Sequence, residues 1–286
     1  MEETAVPEFT RSPSELLRVG PGFDLAAVDT GSTPGFAGGK AEGKRLLAAS
    51  DRRLSELQER LFAQSRGGAR DAVLLVLQGM DTSGKGGIVR HVVGAADPQG
   101  VSHHAFKAPT PEELEHDFLW RVERELPGPG LIGVFDRSHY EDVLIHRVHG
   151  LSSKDVVEAR YGQINDFESS LAGRGIRLVK VMLHLGKAEQ GKRLLERLNR
   201  PDKYWKYDPG DVDERRLWDK YQQAYQVMLD RTSTPDAPWF VVPADNKWYA
   251  RIAVQELLLQ ALEAIDPQWP AAHFDVAEEK ARLADS

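Results

Sequence analysis

The sequence contains no cysteine, which excludes disulfide bonds and thiol catalysis. It also lacks any run of about 18 apolar residues, the length that a membrane-spanning helix requires. The N-terminal stretch MEETAVPEFTRSPSELL is acidic and has no apolar core, so it does not resemble a secretory signal. These absences predict a cytoplasmic protein that acts without a membrane.

Positive charge is in the minority, because 37 Lys and Arg stand against 44 Asp and Glu and the formal net charge is −7. Nucleic-acid binding usually needs a basic surface, so no nucleic-acid partner is expected. A small anionic substrate stays compatible with this charge, since a basic cleft can form locally in an acidic protein. The clustering of Lys and Arg is therefore more informative than their total.

Five segments that are expected to form strands alternate with helical patterns along the chain. The segments expected to be strands are 72–78, 102–106, 130–136, 176–185 and 239–244. The expected helices are 41–64, 84 to about 96, 111–126, 187–198, 213–232 and 247–265. Strands that alternate with helices indicate an α/β fold, in which helices cover both faces of a parallel sheet. Residues 1–40 are rich in Gly, Pro, Ser and Thr and are expected to form an irregular extension, either a loose wrap or a disordered tail.

A phosphate-binding loop is predicted after the first strand. Gly79, Gly84 and Lys85 match the pattern G-x-x-x-x-G-K. Glycines in such a loop let backbone N–H groups surround an anion, and the helix that follows points its positive end at it. Lys85 adds a mobile charge for terminal phosphates. The residues expected to contact phosphate here are Gly79, Thr82, Ser83, Gly84, Lys85, Gly86 and Gly87; the alternative is a simple glycine turn.

The usual loop has Ser or Thr after the lysine to hold magnesium, but this chain has Gly86. A carboxylate inside a phosphate cradle would repel its ligand unless a cation lay between them, so Asp81 predicts a bridging metal. Its alternative role is to form a turn with its own backbone. Asp136 ends the 130–136 strand, where a second magnesium ligand is typical. Arg137 is expected to neutralise a phosphoryl group in transfer, unless the Asp136–Arg137 pair only caps the next helix.

The densest basic stretch comprises Lys187, Lys192, Arg193, Arg197, Arg200, Lys203 and Lys206. Its three arginines recur at intervals of four and three residues, which places them on one face of a helix. The helix pattern breaks at Pro201 and continues as a basic and aromatic loop. A mobile lid that closes over phosphates fits this arrangement. The alternative is a solvated helix face with salt bridges to Glu189 and Glu196.

Taken together, these motifs resemble the polyphosphate kinase 2 family, P-loop phosphotransferases that use inorganic polyphosphate. The resemblance rests on GMDTSGKGG, FKAPTPEELEHDFLWR, FDRSHYEDV and RLLERLNRPDKYWK, and it extends from about Leu46 to Ile265. The family also lacks the usual hydroxyl after the loop lysine. The resemblance implies a P-loop kinase-like three-layer α/β/α sandwich at 41–266, with a helical lid at about 187–215 and a C-terminal tail at 267–286. It further implies Mg²⁺ as cofactor, with Mn²⁺ as a second candidate, and a homodimer or homotetramer.

The resemblance also implies roles for single residues. Asp81 and Asp136 would hold the metal, and Lys85 would bind phosphates. Arg137 and Arg197 would contact the phosphates in transfer. The remaining phosphate- or nucleotide-binding candidates are Lys107, Arg121, Glu141, Arg193, Arg200 and Lys203.

The expected reaction is phosphoryl transfer from polyphosphate to nucleotides. The residues that follow Tyr140, beginning with Glu141, resemble the branch that accepts both AMP and ADP, and guanine nucleotides are further candidates. Glu141 has an alternative role, because an acidic residue favours the start of a helix. Two other functions remain open: an ATP-dependent nucleotide kinase on the same fold, and a non-catalytic protein that binds polyphosphate or nucleotide.

Overall fold

The first strand, β1 (Ala72–Gln78), is buried along its whole length, as its continuous apolar sequence predicts. The computed structural model describes residues 8–286 and places β1 at the centre of a parallel sheet. The other strands are β2 (Val101–Ala105), β3 (Ile132–Asp136), β4 (Ile176–His184) and β5 (Trp239–Pro243). All five expected strands are confirmed, and their spatial order is β2-β3-β1-β4-β5.

The order of the strands creates a crevice beside β1. The chain leaves β1 toward β2 and β3 on one side and later returns to β4 and β5 on the other. Ligands of open α/β sheets bind at such a reversal, outside the carboxyl ends of the strands. Leu77 of β1 pairs with Asp136 of β3, and Gln78 pairs with Met182 of β4. The loop after β1 and the loop after β3 therefore begin side by side.

Helices cover both faces of this sheet. Within residues 8–286 the helices are α1 (Pro13–Leu16), α2 (Lys40–Ser65), α3 (Lys85–His91), α4 (Pro111–Leu114), α5 (Trp120–Glu123), α6 (Glu141–His149), α7 (Lys154–Gly173), α8 (Lys187–Leu198), α9 (Gly210–Arg216), α10 (Trp218–Thr232), α11 (Lys247–Ile265) and α12 (Val276–Ala284). Apolar side chains of α2, α3 and α11 form one core cluster with the sheet, and those of α6, α7 and α10 form the other. The three-layer α/β/α sandwich is therefore confirmed.

Three expected helices differ from the structure. The segment 111–126 forms two short helices, α4 and α5, because the Asp117 carboxylate accepts a hydrogen bond from the Leu119 N–H and turns the chain between them. The segment 213–232 is interrupted at Leu217, which separates α9 from α10. Helix α3 ends at His91 and continues as a 3-10 turn, where two β-branched valines and Gly94 disfavour an α-helix.

The N-terminal extension is packed against the domain over its described part, residues 8–39. Its Leu17 C=O accepts from the Val241 N–H, and its Val19 N–H donates to the Trp239 C=O, so it covers the edge of β5. The alternative prediction of a disordered tail is therefore wrong for residues 8–39, and residues 1–7 lie outside the described part. Helix α12 lies in the exposed C-terminal tail. Among the helices of residues 8–286, none has both the length and the apolar character needed to cross a bilayer.

Candidate active site

The phosphate loop joins β1 to α3 in the crevice. Gly79 and Gly84 have φ angles of 145° and 119°, a region that side chains disfavour. A Cβ atom at Gly79 would also lie 2.6 Å from the Leu183 C=O, so this position admits only glycine. Lys85 Nζ donates to the Gly79 C=O at 2.8 Å, across the loop. The loop therefore has the strand-turn-helix geometry that its sequence predicts.

Two hydroxyls of the loop have no hydrogen-bond partner within residues 8–286. They are Thr82 Oγ1 and Ser83 Oγ, and both are buried. Buried polar groups nearly always have a hydrogen-bond partner, so two buried hydroxyls without one indicate that a ligand binds them. This agrees with their predicted contact to phosphate.

The two carboxylates expected to hold the metal differ in their hydrogen bonding. Arg137, whose φ of 64° lies in the left-handed region, donates from Nη2 to Asp81 Oδ1 at 2.9 Å. Burial disfavours the charge of Arg137, but Glu141 and Asp81 outweigh it and raise its pKa. The Asp136 carboxylate makes no hydrogen bond or ion pair with any described residue. Asp136 and Arg137 do not pair with each other, so Asp136 stays free for a cation.

These residues fit a magnesium ion. Mg²⁺ usually binds one or two carboxylates and completes its octahedron with substrate phosphates and water. No group of three or more His, Cys, Asp or Glu side chains in the described part of the chain forms a metal cluster. A dedicated all-protein cage is thus not formed by residues 8–286, and two carboxylates beside a phosphate loop match the magnesium pattern. Magnesium at Asp81 and Asp136 stays a prediction.

A cleft of about 690 Å³ opens over the loop. It is lined by most of the predicted site residues, namely Asp81, Thr82, Ser83, Gly84, Lys85, Gly86, Gly87, Lys107, Asp136, Arg137, Arg193, Arg197, Arg200 and Lys203. Residues from the loop after β1 and from β3, α3 and α8 thus converge on one cavity, although they are far apart in the sequence.

Four basic residues that line the cleft within residues 8–286 were not predicted from the sequence. They are Arg90, His91, Lys247 and Arg251, whereas Lys206, which also lines it, belonged to the predicted basic stretch of the lid. The first two lie on α3 directly after the loop, and Lys247 and Arg251 lie one turn apart on α11, which follows the carboxyl end of β5. The sequence did contain a signal for the residues of α11, since the carboxyl ends of parallel strands lie at the same edge of the sheet and α11 follows β5. Burial, Arg251 and Arg90 lower the pKa of His91.

The lid segment begins at α8, turns through a 3-10 helix at Pro201–Lys206 and ends in α9. Arg197 joins these parts, because its Nη1 donates to the Lys206 C=O at 2.7 Å and to Asp211 Oδ2 at 3.1 Å. Burial and the charge of Asp81 raise the pKa of Asp211 to about 6. Asp211 was not predicted as a site residue. Arg200 lines the cleft but also pairs with Glu196, as the salt-bridge alternative expected.

Arg121 and Arg193, both predicted to contact phosphate, donate hydrogen bonds to protein groups. Arg121 is buried outside the residues that line the cleft, where its Nη1 donates to the Lys107 C=O at 2.9 Å and its Nη2 pairs with Asp142. Arg193 is also buried and donates to backbone carbonyls. Helical spacing placed Arg193 correctly on α8 but could not show that this part of the helix faces the protein.

Glu141 is the first residue of α6 and does not belong to the lining of the cleft described above. Its Oε1 accepts from Gln78 Nε2 at 3.2 Å. Burial raises the pKa of Glu141, although the nearby charges of Arg137 and Lys85 oppose this. The structure therefore places it both at a helix start and beside the phosphate loop, which leaves its two predicted roles open.

A family model described as polyphosphate kinase 2 (PPK2) matches residues 38–270. The chain belongs to this family. The matched range contains every predicted site residue and the motifs that first suggested the resemblance. As a polyphosphate kinase 2 family member, the chain has its phosphate loop, its Asp136–Arg137 strand end and its lid within one family domain.

Similar proteins come from several bacteria. The AMP/ADP-polyphosphate phosphotransferase of Meiothermus ruber is 44% identical over 248 residues, which cover 87% of this chain and 91% of that protein. The ADP-polyphosphate phosphotransferase of Rhodopseudomonas palustris is 43% identical over 271 residues, or 90% of this chain and 92% of that protein. The crystal structure of polyphosphate kinase 2 from Arthrobacter aurescens TC1 matches with a TM-score of 0.97 and 60% identity, over 99% of this chain and all of that one.

Proposed function

We propose that this polyphosphate kinase 2 family member transfers a phosphoryl group from inorganic polyphosphate to both AMP and ADP, with magnesium as cofactor. The observation that carries the proposal is the charge of the cleft: among residues 8–286, eleven Lys or Arg residues line it against three Asp or Glu. The protein as a whole has a net charge of −7, so this concentration of positive charge is local. It surrounds a phosphate loop, which identifies the ligand as a phosphate polyanion.

The basic side chains extend beyond what the phosphates of one nucleotide require. Arg90, Lys247 and Arg251 lie on α3 and α11, whereas Asp136 lies at the end of β3. We propose that the polyphosphate binds along the part of the cleft that these three residues line. The acceptor nucleotide then lies toward Arg137 and Glu141. The residues that follow Tyr140, beginning with Glu141, resemble the branch that accepts both AMP and ADP. The name of the Meiothermus ruber relative supports the same range.

Transfer in this cleft needs no covalent enzyme intermediate, because positioning and charge neutralisation suffice for phosphoryl transfer. Lys85 contributes a point charge at the loop, and Arg137 and Arg197 approach from β3 and from the lid. Magnesium bound by Asp81 and Asp136 would neutralise charge on the phosphates. A homodimer or homotetramer is proposed on the family resemblance alone.

The identity of the phosphate donor distinguishes the proposed function from its alternatives. The purified protein is incubated with magnesium and polyphosphate, without ATP, and with AMP, ADP, GMP or GDP in separate reactions. Products are separated by charge, and we expect ADP and ATP from the adenine nucleotides. A parallel series with manganese tests the second metal. Transfer from ATP but not from polyphosphate would support a conventional nucleotide kinase, and binding without transfer would support a non-catalytic role.

The lid arginine provides a further prediction. Arg197→Ala is expected to lower turnover more than it weakens nucleotide binding, because its charge matters most while the phosphoryl group is in flight. Calorimetry and steady-state kinetics on one preparation measure both effects. Arg216→Ala is the matched control, since Arg216 is an exposed arginine of α9 that pairs with Asp213. Weaker nucleotide binding with unchanged turnover would contradict the assignment.

Glu141 carries the prediction about substrate range. If it holds a water or second magnesium where AMP lacks its β-phosphate, Glu141→Asn should depress the AMP reaction far more than the ADP reaction. If it only favours the start of α6, both reactions should fall equally through stability. The two rates are compared in wild type and variant at matched folded fraction. An unchanged ratio of the AMP and ADP rates leaves Glu141 with only the structural role.

A further inference from the structure

Three consecutive backbone carbonyls of the phosphate loop are held by helix α8. Gln190 Nε2 donates to the Asp81 C=O at 3.2 Å, and Arg193 Nη1 donates to the C=O groups of Thr82 and Ser83 at 2.9 and 3.2 Å. Both side chains are buried and lie one helical turn apart. A phosphate loop needs its N–H groups free for the anion, so its carbonyls need partners on the other side. Helix α8 supplies them.

Arg193 has no donor left for a phosphate. Its Nη2 donates to the C=O groups of Ala244 and Asp245 at 2.7 and 2.9 Å, and its Nε donates to Glu189 Oε1 at 3.0 Å. With the two bonds to the loop, this makes five hydrogen bonds, which equals the five N–H donors of a guanidinium. Arg193 thus ties the loop after β1 to the segment after β5.

The loop needs such support because Thr82 has a φ angle of 66°. A residue with a β-branched side chain disfavours this left-handed region, and such a conformation persists only where its surroundings hold it. Arg193 bonds the carbonyl of this same residue. The side chain therefore acts at the strained point of the loop.

Gln190 extends this contact to the far end of the lid. Its Oε1 accepts from Arg215 Nη1 at 2.9 Å, and Arg215 belongs to α9. A continuous route of hydrogen bonds therefore runs from α9 through Arg215 and Gln190 to the backbone of Asp81. The position of α9 and the position of a predicted metal ligand are linked by two side chains.

We propose that Gln190 and Arg193 are positioning residues that hold the phosphate loop in its anion-binding form and link it to the lid through Arg215. The proposal deepens the proposed function, since it concerns the same cleft. It assigns to α8 a double role, because its Arg197 contacts the lid while its Gln190 and Arg193 shape the loop. In this proposal, helix α8 and the phosphate loop keep a fixed position relative to each other.

Arg193→Lys tests this proposal, because lysine keeps the charge but cannot span four carbonyls from one point. We expect turnover to fall about 100-fold, the size of effect that a misplaced reacting group produces. Binding of magnesium tripolyphosphate, measured by calorimetry, should weaken by at least about 10-fold for the same reason. Arg282→Lys is the matched control, since Arg282 lies on α12 in the C-terminal tail with its side chain 70% exposed, and its turnover should not change.

Leu171→Ala separates positioning from stability. Leu171 is fully buried on α7, in the layer opposite α3 and α11, so this variant loses stability without touching the loop. Kinetics are measured at a temperature where all variants are folded, as chemical denaturation shows. If Arg193→Lys loses stability as Leu171→Ala does but keeps wild-type turnover and tripolyphosphate affinity, the positioning role is overturned.

A double-mutant cycle tests the link to α9. Gln190→Leu and Arg215→Met should each lower turnover, and together they should lower it by little more than the larger single effect, since both interrupt one route. Fully additive effects would overturn the link. If wild type itself transfers no phosphate, the proposed function fails, whereas the tripolyphosphate affinities of wild type and Arg193→Lys still decide whether Arg193 shapes the loop.

Discussion

Replacing Asp136 with Asn is expected to remove nearly all phosphoryl transfer while the fold stays intact. The carboxylate lies at the end of β3, lines the cleft and makes no hydrogen bond or ion pair within residues 8–286. An amide of the same shape therefore disturbs no contact that stabilises the protein. It does remove a negative charge that magnesium requires, since Mg²⁺ prefers carboxylate oxygen.

Turnover is measured across a range of magnesium concentrations, and circular dichroism checks the fold. Asp236→Asn is the control, because Asp236 is exposed in the loop before β5, at the opposite edge of the sheet. An Asp136→Asn variant with wild-type turnover at limiting magnesium would show that Asp136 does not hold the metal.

Lys85→Met is expected to lower turnover at least about 100-fold, the range observed when an active site loses one electrostatic donor. This corresponds to about 2.7 kcal/mol of lost transition-state stabilisation. Methionine has a similar length but no charge, and it also loses the hydrogen bond from Nζ to the Gly79 C=O. The variant therefore tests the charge and the closure of the loop together.

Steady-state kinetics with polyphosphate as donor measure this effect, and denaturation curves show how much of it is stability. Lys44→Met, at an exposed position of α2, is the control for the loss of one surface charge. A decrease in turnover of less than about threefold would show that the loop is not the reaction centre.

The pattern of residues along the chain predicted the strands of the sheet but did not predict the ends of some helices. Strands β1, β3, β4 and β5 are largely apolar, whereas β2 (VSHHA) is mostly polar, and each was predicted within two residues of its observed ends. The break between α4 and α5 depends on one hydrogen bond from the Asp117 side chain, which competes with the helix in a way that periodicity does not reveal. The packed N-terminal extension depends on its contact with β5, more than 200 residues away.

The phosphate loop, the Asp136–Arg137 strand end and the family were predictable from the amino-acid sequence, because they rest on short motifs whose spacing has a direct physical meaning. The contacts of each basic residue became visible in the folded protein. Arg193 was predicted to bind phosphate from its helical spacing, and the structure shows that it donates to backbone carbonyl groups of the loop. Arg251 was not predicted and lines the cleft. The spacing of residues on a helix shows which of them share a face. What that face meets depends on the packing of strands and helices that are distant in the chain.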